Sequence, residues 1–207
     1  MNLRAGDVLL SYKEPPKTWW PLRVWLERFG HWRLRRYCQK LYPHGDIRYD
    51  HVRLVCGPVL SDNPDRILGF EFTFPHAGFF WFSADAHHWM YDPNYSKLFR
   101  PKDEILDPAF ATMSETMRAR LLHKACLRWD GTLYDVGQLI DIELGTHGLF
   151  DWGRRYKICS VGARIIQESP SILRKPLFPE VEVERTPPCS WANSNKFGAI
   201  SWPIVAT

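Results

Sequence analysis

The sequence lacks a long hydrophobic run. Its N-terminus, MNLRAGDVLL, has only three consecutive apolar residues, Val8 to Leu10, and nothing in the chain approaches the roughly 18 that a membrane span needs. The expectation is a chain with no signal peptide and no transmembrane segment, acting in the cytoplasm, carried in a virion or released by lysis. A strong excess of charge is also missing: 27 Lys and Arg against 23 Asp and Glu leave +4, which gives no strongly basic face for nucleic acid. There is no internal repeat and no low-complexity segment. No paired-cysteine or His-Glu-x-x-His spacing supports a metal site, even though His76, His87 and His88 could be grouped into one. Finally, the five cysteines are an odd number and cannot all pair within one chain; in a reducing compartment they read as thiols, at least one of them free.

What is there fits an ordinary globular protein: 207 residues, 45% hydrophobic and 24% charged, enough for one domain. Thirteen Gly and sixteen Pro imply many turns and argue against a long helical bundle. The ten tryptophans exceed what a small core requires. Residues 6–12 read as a strand. Between Thr18 and Leu41 the apolar positions Leu22, Trp25, Leu26 and Phe29, then Leu34, Tyr37, Cys38 and Leu41, predict two short helices broken at Gly30. With Lys17 just before it, this segment carries seven basic residues against Glu27, together with Trp19, Trp20, Trp25 and Trp32. Such a helix can touch an anionic membrane surface; the ordinary reading is a core-facing stripe with a solvated basic back.

Asp50 to Gly57, Ile67 to Phe74 and Ala77 to Ala84 read as an antiparallel meander. Residues 85–111 read as a long irregular loop. Thr112 with Glu115 fits a capping box that opens a helix to about Arg128, with Met117, Leu121, Leu122 and Ala125 inward. A second helix is expected from Thr132 to Gly145 and a third from about Cys159 to Ser169-Pro170. The Pro-rich tail from about residue 171 holds one strand-like stretch, Glu180 to Glu184.

A nucleophilic cysteine must be a thiolate, which a helix N-terminus or a neighbouring cation favours. Cys38 and Cys126 fall inside helices and Cys56 inside a strand, where a small apolar side chain is the ordinary role. Cys189, after Pro187-Pro188, heads a short helix and is a weaker rival. Cys159 follows an extended stretch with Arg154, Arg155 and Lys157 before it and opens a helix, with Gly162 one turn on leaving room for close approach. A thiol needs a base, and the base needs a third group to orient it. His51 heads a strand. On the next strand Glu71 lies between Phe70 and Phe72, pointing away from both rings; it is either the orienting acid or a solvent-facing residue.

In order and spacing these residues resemble the circularly permuted branch of the NlpC-type papain-like superfamily, often called YiiX-like, in which the histidine strand precedes the cysteine helix. Gly6-Asp7-Val8-Leu9-Leu10 looks like the family's opening strand, Asp50-His51-Val52 its histidine strand, and Phe70-Glu71 followed by Ala77-Gly78 its acidic strand. Gly131 to Asp135, Cys159-Ser160 and the closing Thr186-Pro187-Pro188-Cys189 to Ser194 segment are similar to later family motifs. The resemblance covers nearly the whole chain. It implies an α+β fold in a single domain over 1–207, with a small antiparallel sheet or partial barrel packed on the cysteine helix, a helical insertion at about 18–41 and the Pro-rich tail.

The resemblance also implies a cysteine peptidase or amidase-type hydrolase with Cys159 as nucleophile, His51 as base and Glu71 as orienter, acting on amide or ester bonds without metal or organic cofactor. Cell-wall peptides are the first substrate class it implies, and lipid acyl groups, as in the related lecithin retinol acyltransferases, the second. Arg53 and Tyr12 are the expected substrate-binding residues. Two positions depart from the pattern. Arg53 stands where a small residue is usual, so it either binds a substrate carboxylate or crowds a decayed site. Val161 stands where an acid is usual. The rival reading is a non-catalytic docking component of a larger assembly, such as a phage particle or tail.

Overall fold

A computed structural model describes residues 3–12, 32–58, 67–73, 76–82, 95–135 and 156–201. The first of the two helices expected between Thr18 and Leu41 lies outside these residues, as do most of the one expected from Thr132 to Gly145, His87 and His88, and three of the four N-terminal tryptophans. The elements in order are β1 (Val8–Ser11), a helix α1 over residues 32–41, β2 (His51–Pro58), β3 (Ile67–Glu71), β4 (Gly78–Phe82), β5 (Ser96–Pro101), α2 (Pro108–Thr112), α3 (Glu115–Leu127), β6 (Leu133–Tyr134), β7 (Tyr156–Lys157), α4 (Cys159–Gln167), α5 (Ser190–Asn193) and β8 (Phe197–Ile200). The architecture is α+β. Six strands form one antiparallel sheet in the order β4-β3-β2-β1-β5-β8, and β6 and β7 form a small parallel pair. Among the described residues β4 and β8 are its two edges, so the sheet is open where a partial barrel was expected.

Strand alternation divides the sheet into two faces. Val8, Leu10, Val52, Leu54, Cys56 and Phe70 join Ala119, Leu122 and Cys126 of α3 and Ala163 and Ile166 of α4 in the main core. Leu9, Val55, Ile67 and Leu98 form a smaller cluster on the opposite parity. Helix α4 lies close to the sheet because Gly162 has no side chain: a Cβ there would collide with the Phe72 ring. The approach anticipated at Gly162 is therefore made by the chain just after β3.

Four sequence expectations fail. Ser96–Pro101 is a strand between β1 and β8, not irregular loop; Lys97 and Arg100 interrupt its apolar pattern, and Arg100 is held there by two hydrogen bonds to the buried Asp7 carboxylate, 2.8 and 2.7 Å. Helix α3 is capped by Ser114, whose hydroxyl accepts from Met117 N at 3.4 Å, and Thr112 instead ends α2; Leu122 is buried and Leu121 and Ala125 pack against the core as expected, together with the buried Ala119 and Cys126, but Met117 is exposed. Leu133–Tyr134 pairs with Tyr156–Lys157 as a strand rather than opening a helix. In the tail, Val183–Arg185 is a 3-10 turn and the strand is Phe197–Ile200.

That tail is tied to α4. Arg164 donates to the carbonyls of Val181 (2.7 Å) and Phe178 (3.0 Å), to Thr186 Oγ1 (2.8 Å) and to Glu168 (2.8 Å). Gln167 accepts from the indole of the fully buried Trp191 at 2.7 Å. Helix α1 is anchored from the other side: Leu34 and Cys38 pack with Ile158, Val161 and Cys189, and Tyr37 donates to the Arg185 carbonyl at 3.2 Å.

Candidate active site

All five cysteines are free thiols and all are buried. Four of them meet in pairs. Cys56 of β2 and Cys126 of α3 lie 3.7 Å apart, and Cys38 and Cys189 hydrogen-bond across the junction of α1 and α5. Burial, then the neighbouring thiol, pushes Cys126 and Cys189 far above the ordinary thiol range, so these four are packing groups. Cys159 has a different environment. It is the first residue of α4, where backbone N–H groups have no partner within the helix, and its Sγ lies 3.9 Å from the Asp50 carbonyl at the start of β2.

His51 is the first residue of β2 and Glu71 the last of β3. Their side chains meet with Nε2 and Oε2 2.8 Å apart, 17% and 19% exposed. The Cys159 thiol lies close enough to the same ring to raise its pKa, while its own hydrogen bond goes to the Asp50 carbonyl. The structure thus brings together the three residues singled out from the sequence, across 109 positions of chain between Asp50 and Cys159. An ionised carboxylate can only accept, so Nε2 carries the proton donated to Glu71, and Nδ1 is the nitrogen left to take a proton from the thiol.

Arg53 lies two residues along β2 and directly across from Glu71 in the β2–β3 register. Its Nε is 2.7 Å from Glu71 Oε2, the same oxygen that faces His51, and its Nη1 donates to Ser11 Oγ at 2.7 Å. Arg53 is only 7% exposed. The guanidinium that was expected to meet a substrate carboxylate is turned onto a carboxylate of the protein itself. Ser11, which sits opposite His51 in the β1–β2 register, was not singled out from the sequence. A small polar residue fully buried at the end of the apolar run Val8 to Leu10 is the signal that marks it.

The electrostatics follow from these contacts. Burial opposes ionisation of Glu71, but the hydrogen bond and charge of His51 and the charge of Arg53 outweigh it and hold the carboxyl down at about 2. For His51, burial and the Arg53 charge favour the neutral ring, yet Cys159 and Glu71 together raise its pKa above the ordinary histidine value. The arrangement can hold an imidazolium against the Glu71 carboxylate, beside the Cys159 side chain.

Tyr12 follows β1 in a group of aromatic rings, with centroids 6.3 Å from Tyr49 and 5.8 Å from Tyr95, and the Arg48 guanidinium lies 5.7 Å above its face. Ser160, beside the nucleophile candidate, is fully buried, and its hydroxyl has no hydrogen-bond partner among the described residues. No group of three His, Cys, Asp or Glu side chains among the described residues is placed to hold a metal, and no described helix is long and apolar enough to cross a membrane. Compared with protein-family models, with curated proteins and with solved structures, the chain gives no match in any of the three.

Proposed function

We propose that the protein is a cysteine hydrolase acting on amide or ester bonds, with Cys159 as nucleophile, His51 as general base and then acid, and Glu71 as the group that orients the ring. The observation that carries this reading is the contact of one imidazole with both a thiol at a helix N-terminus and an ionised carboxylate. In the first step the Cys159 sulfur attacks the acyl carbon while Nδ1 of His51 takes the thiol proton. The bond to the leaving amine or alcohol breaks as that proton is returned to it, leaving a thioester. Water, deprotonated by the same ring, then releases the acid and restores the thiol. The developing oxyanion would be met by backbone N–H groups at the start of α4, which need only the helix end to be aimed correctly.

The order of strand and helix, and the resemblance to permuted papain-like proteins, favour a peptide amide of the cell-wall type as substrate, with acyl-ester lipids second. The test is turnover of purified peptidoglycan and of acyl-ester lipids by wild type and Cys159→Ala. Loss of activity on one substrate class in the variant supports the reading and names the class. Absence of turnover on both, with Cys159 alkylated by iodoacetamide no faster than an ordinary thiol, sinks it and leaves a docking role for the domain.

A further inference from the structure

The proposed mechanism uses His51, Glu71 and Cys159, but the carboxylate oxygen facing His51 has a second partner. Glu71 Oε2 lies 2.8 Å from His51 Nε2 and 2.7 Å from Arg53 Nε, while Arg53 Nη1 is fastened to Ser11 Oγ at 2.7 Å. Three adjacent strands thus contribute to one chain of contacts, Ser11 on β1, Arg53 and His51 on β2, Glu71 on β3. Arg53 faces away from the main core, on the same side of β2 as His51, and is too buried and too engaged to serve as a docking point for a substrate anion.

We propose that Arg53 is a positioning residue of this site: anchored on Ser11, its guanidinium fixes the Glu71 carboxylate and, by its charge, loosens the hold of the His51–Glu71 pair on a proton. This deepens the hydrolase reading and rests on it for its catalytic meaning, though the geometry of the four residues stands without it. The physical reason is a balance. An imidazole between a bare carboxylate and a thiolate gains so much from being charged that it becomes a poor acid for the leaving group. A cation sharing the carboxylate oxygen neutralises part of that pull and also repels the imidazolium directly. Among the described residues the charged and titratable groups that act most on the ring are Arg53 from its own strand, Glu71 from β3 and Cys159 from α4; Arg53 opposes protonation and the other two favour it. A lysine could supply the charge without the fork of donors that reaches Glu71 and Ser11 together.

Histidine titration followed by NMR on labelled full-length protein tests this, with the His51 signal identified by its disappearance in His51→Gln. Arg53→Gln is expected to move the His51 midpoint upward by about one pH unit, the size of a single near-contact charge effect. Arg53→Lys is expected to stay within about 0.3 unit of wild type, because the charge is kept. If Arg53→Gln does not fold, Ser11→Ala, which removes only the anchoring hydroxyl, is expected to move the midpoint upward by a smaller amount. An unmoved or lowered midpoint in the folded variants overturns the proposal, as does an Arg53→Lys shift equal to that of Arg53→Gln. Iodoacetamide alkylation of Cys159 in wild type separates the two readings. Slow alkylation with an upward His51 shift in Arg53→Gln removes the hydrolase and keeps the role of Arg53 on the ring; fast alkylation with no shift does the reverse.

Discussion

Among the described residues two arginines lie buried, and they are held for different ends. Arg164, 3% exposed, sits in the last turns of α4 and meets two carbonyls, a hydroxyl and the acid one turn away; every partner belongs to the helix or to the tail it fastens. Arg53, 7% exposed, sits mid-sheet and meets a carboxylate whose same oxygen also faces an imidazole. The first arginine ties the tail's backbone to the helix and supplies the donor that the Val181 carbonyl would otherwise lack. The second acts on a group that can gain and lose a proton. Burial of a cation is therefore not a functional mark in itself; what its partner can do decides.

Replacing Arg164 tests the structural half of this contrast and should have the largest effect. Arg164→Met removes four hydrogen bonds, leaving the Val181 carbonyl without its donor and the Phe178 carbonyl with Val181 N alone, so a loss of about 3–5 kcal/mol is expected in urea denaturation. The His51 midpoint should not move. A loss below about 1 kcal/mol would erase the distinction.

Glu71→Gln tests the other half. The carboxyl falls from an ordinary 4.5 to about 2 on folding, a shift worth on the order of 3 kcal/mol at neutral pH. A depressed pKa contributes stability that is present above about 4.5 and lost as pH falls toward 2. Glu71→Gln should therefore be less stable at pH 7 and should show a flatter decline across that acid window. An unchanged acid slope would show that Glu71 is not held by its neighbours.

On the alkaline side the sign reverses. The His51 pKa is raised in the folded protein, so its contribution is complete below the unfolded value near 6.5 and declines as pH rises through the folded one. His51→Gln should remove that decline from a stability profile measured between pH 6 and 9, with the acid limb still set by the carboxyls. The smallest expected effect is at Ser160, whose hydroxyl is buried without a partner: Ser160→Ala should leave stability unchanged or raise it by up to about 1 kcal/mol in the same denaturation assay.

Much of this site was legible because it is built from local patterns. Alternating apolar residues mark β2, a short apolar run marks β3, and Cys159 stands where an extended stretch gives way to a helix. The parts that were not legible are those set by distant partners. Ser96–Pro101 becomes a strand because β1 and β8 flank it and Asp7 accepts Arg100, none of which its own six residues announce. The role of Arg53 depends on register: only when β3 pairs so that Glu71 lies opposite does the cation meet an acid. Met117 faces solvent although it lies near the apolar Leu121 and Leu122, because the side of α3 that packs on the sheet is the one carrying Ala119, Leu122 and Cys126.

The separation of 109 residues between the Asp50 carbonyl and the Cys159 thiol has a consequence for how the protein comes into being. During synthesis the imidazole and its carboxylate leave the ribosome long before the thiol, and β8, the outer strand beside β5, is made later still. Closing such distant contacts is slow relative to forming local helices and hairpins. The nascent chain therefore carries the imidazole and its carboxylate without the thiol, and the proposed hydrolytic chemistry would switch on only after Cys159 has emerged and α4 has docked.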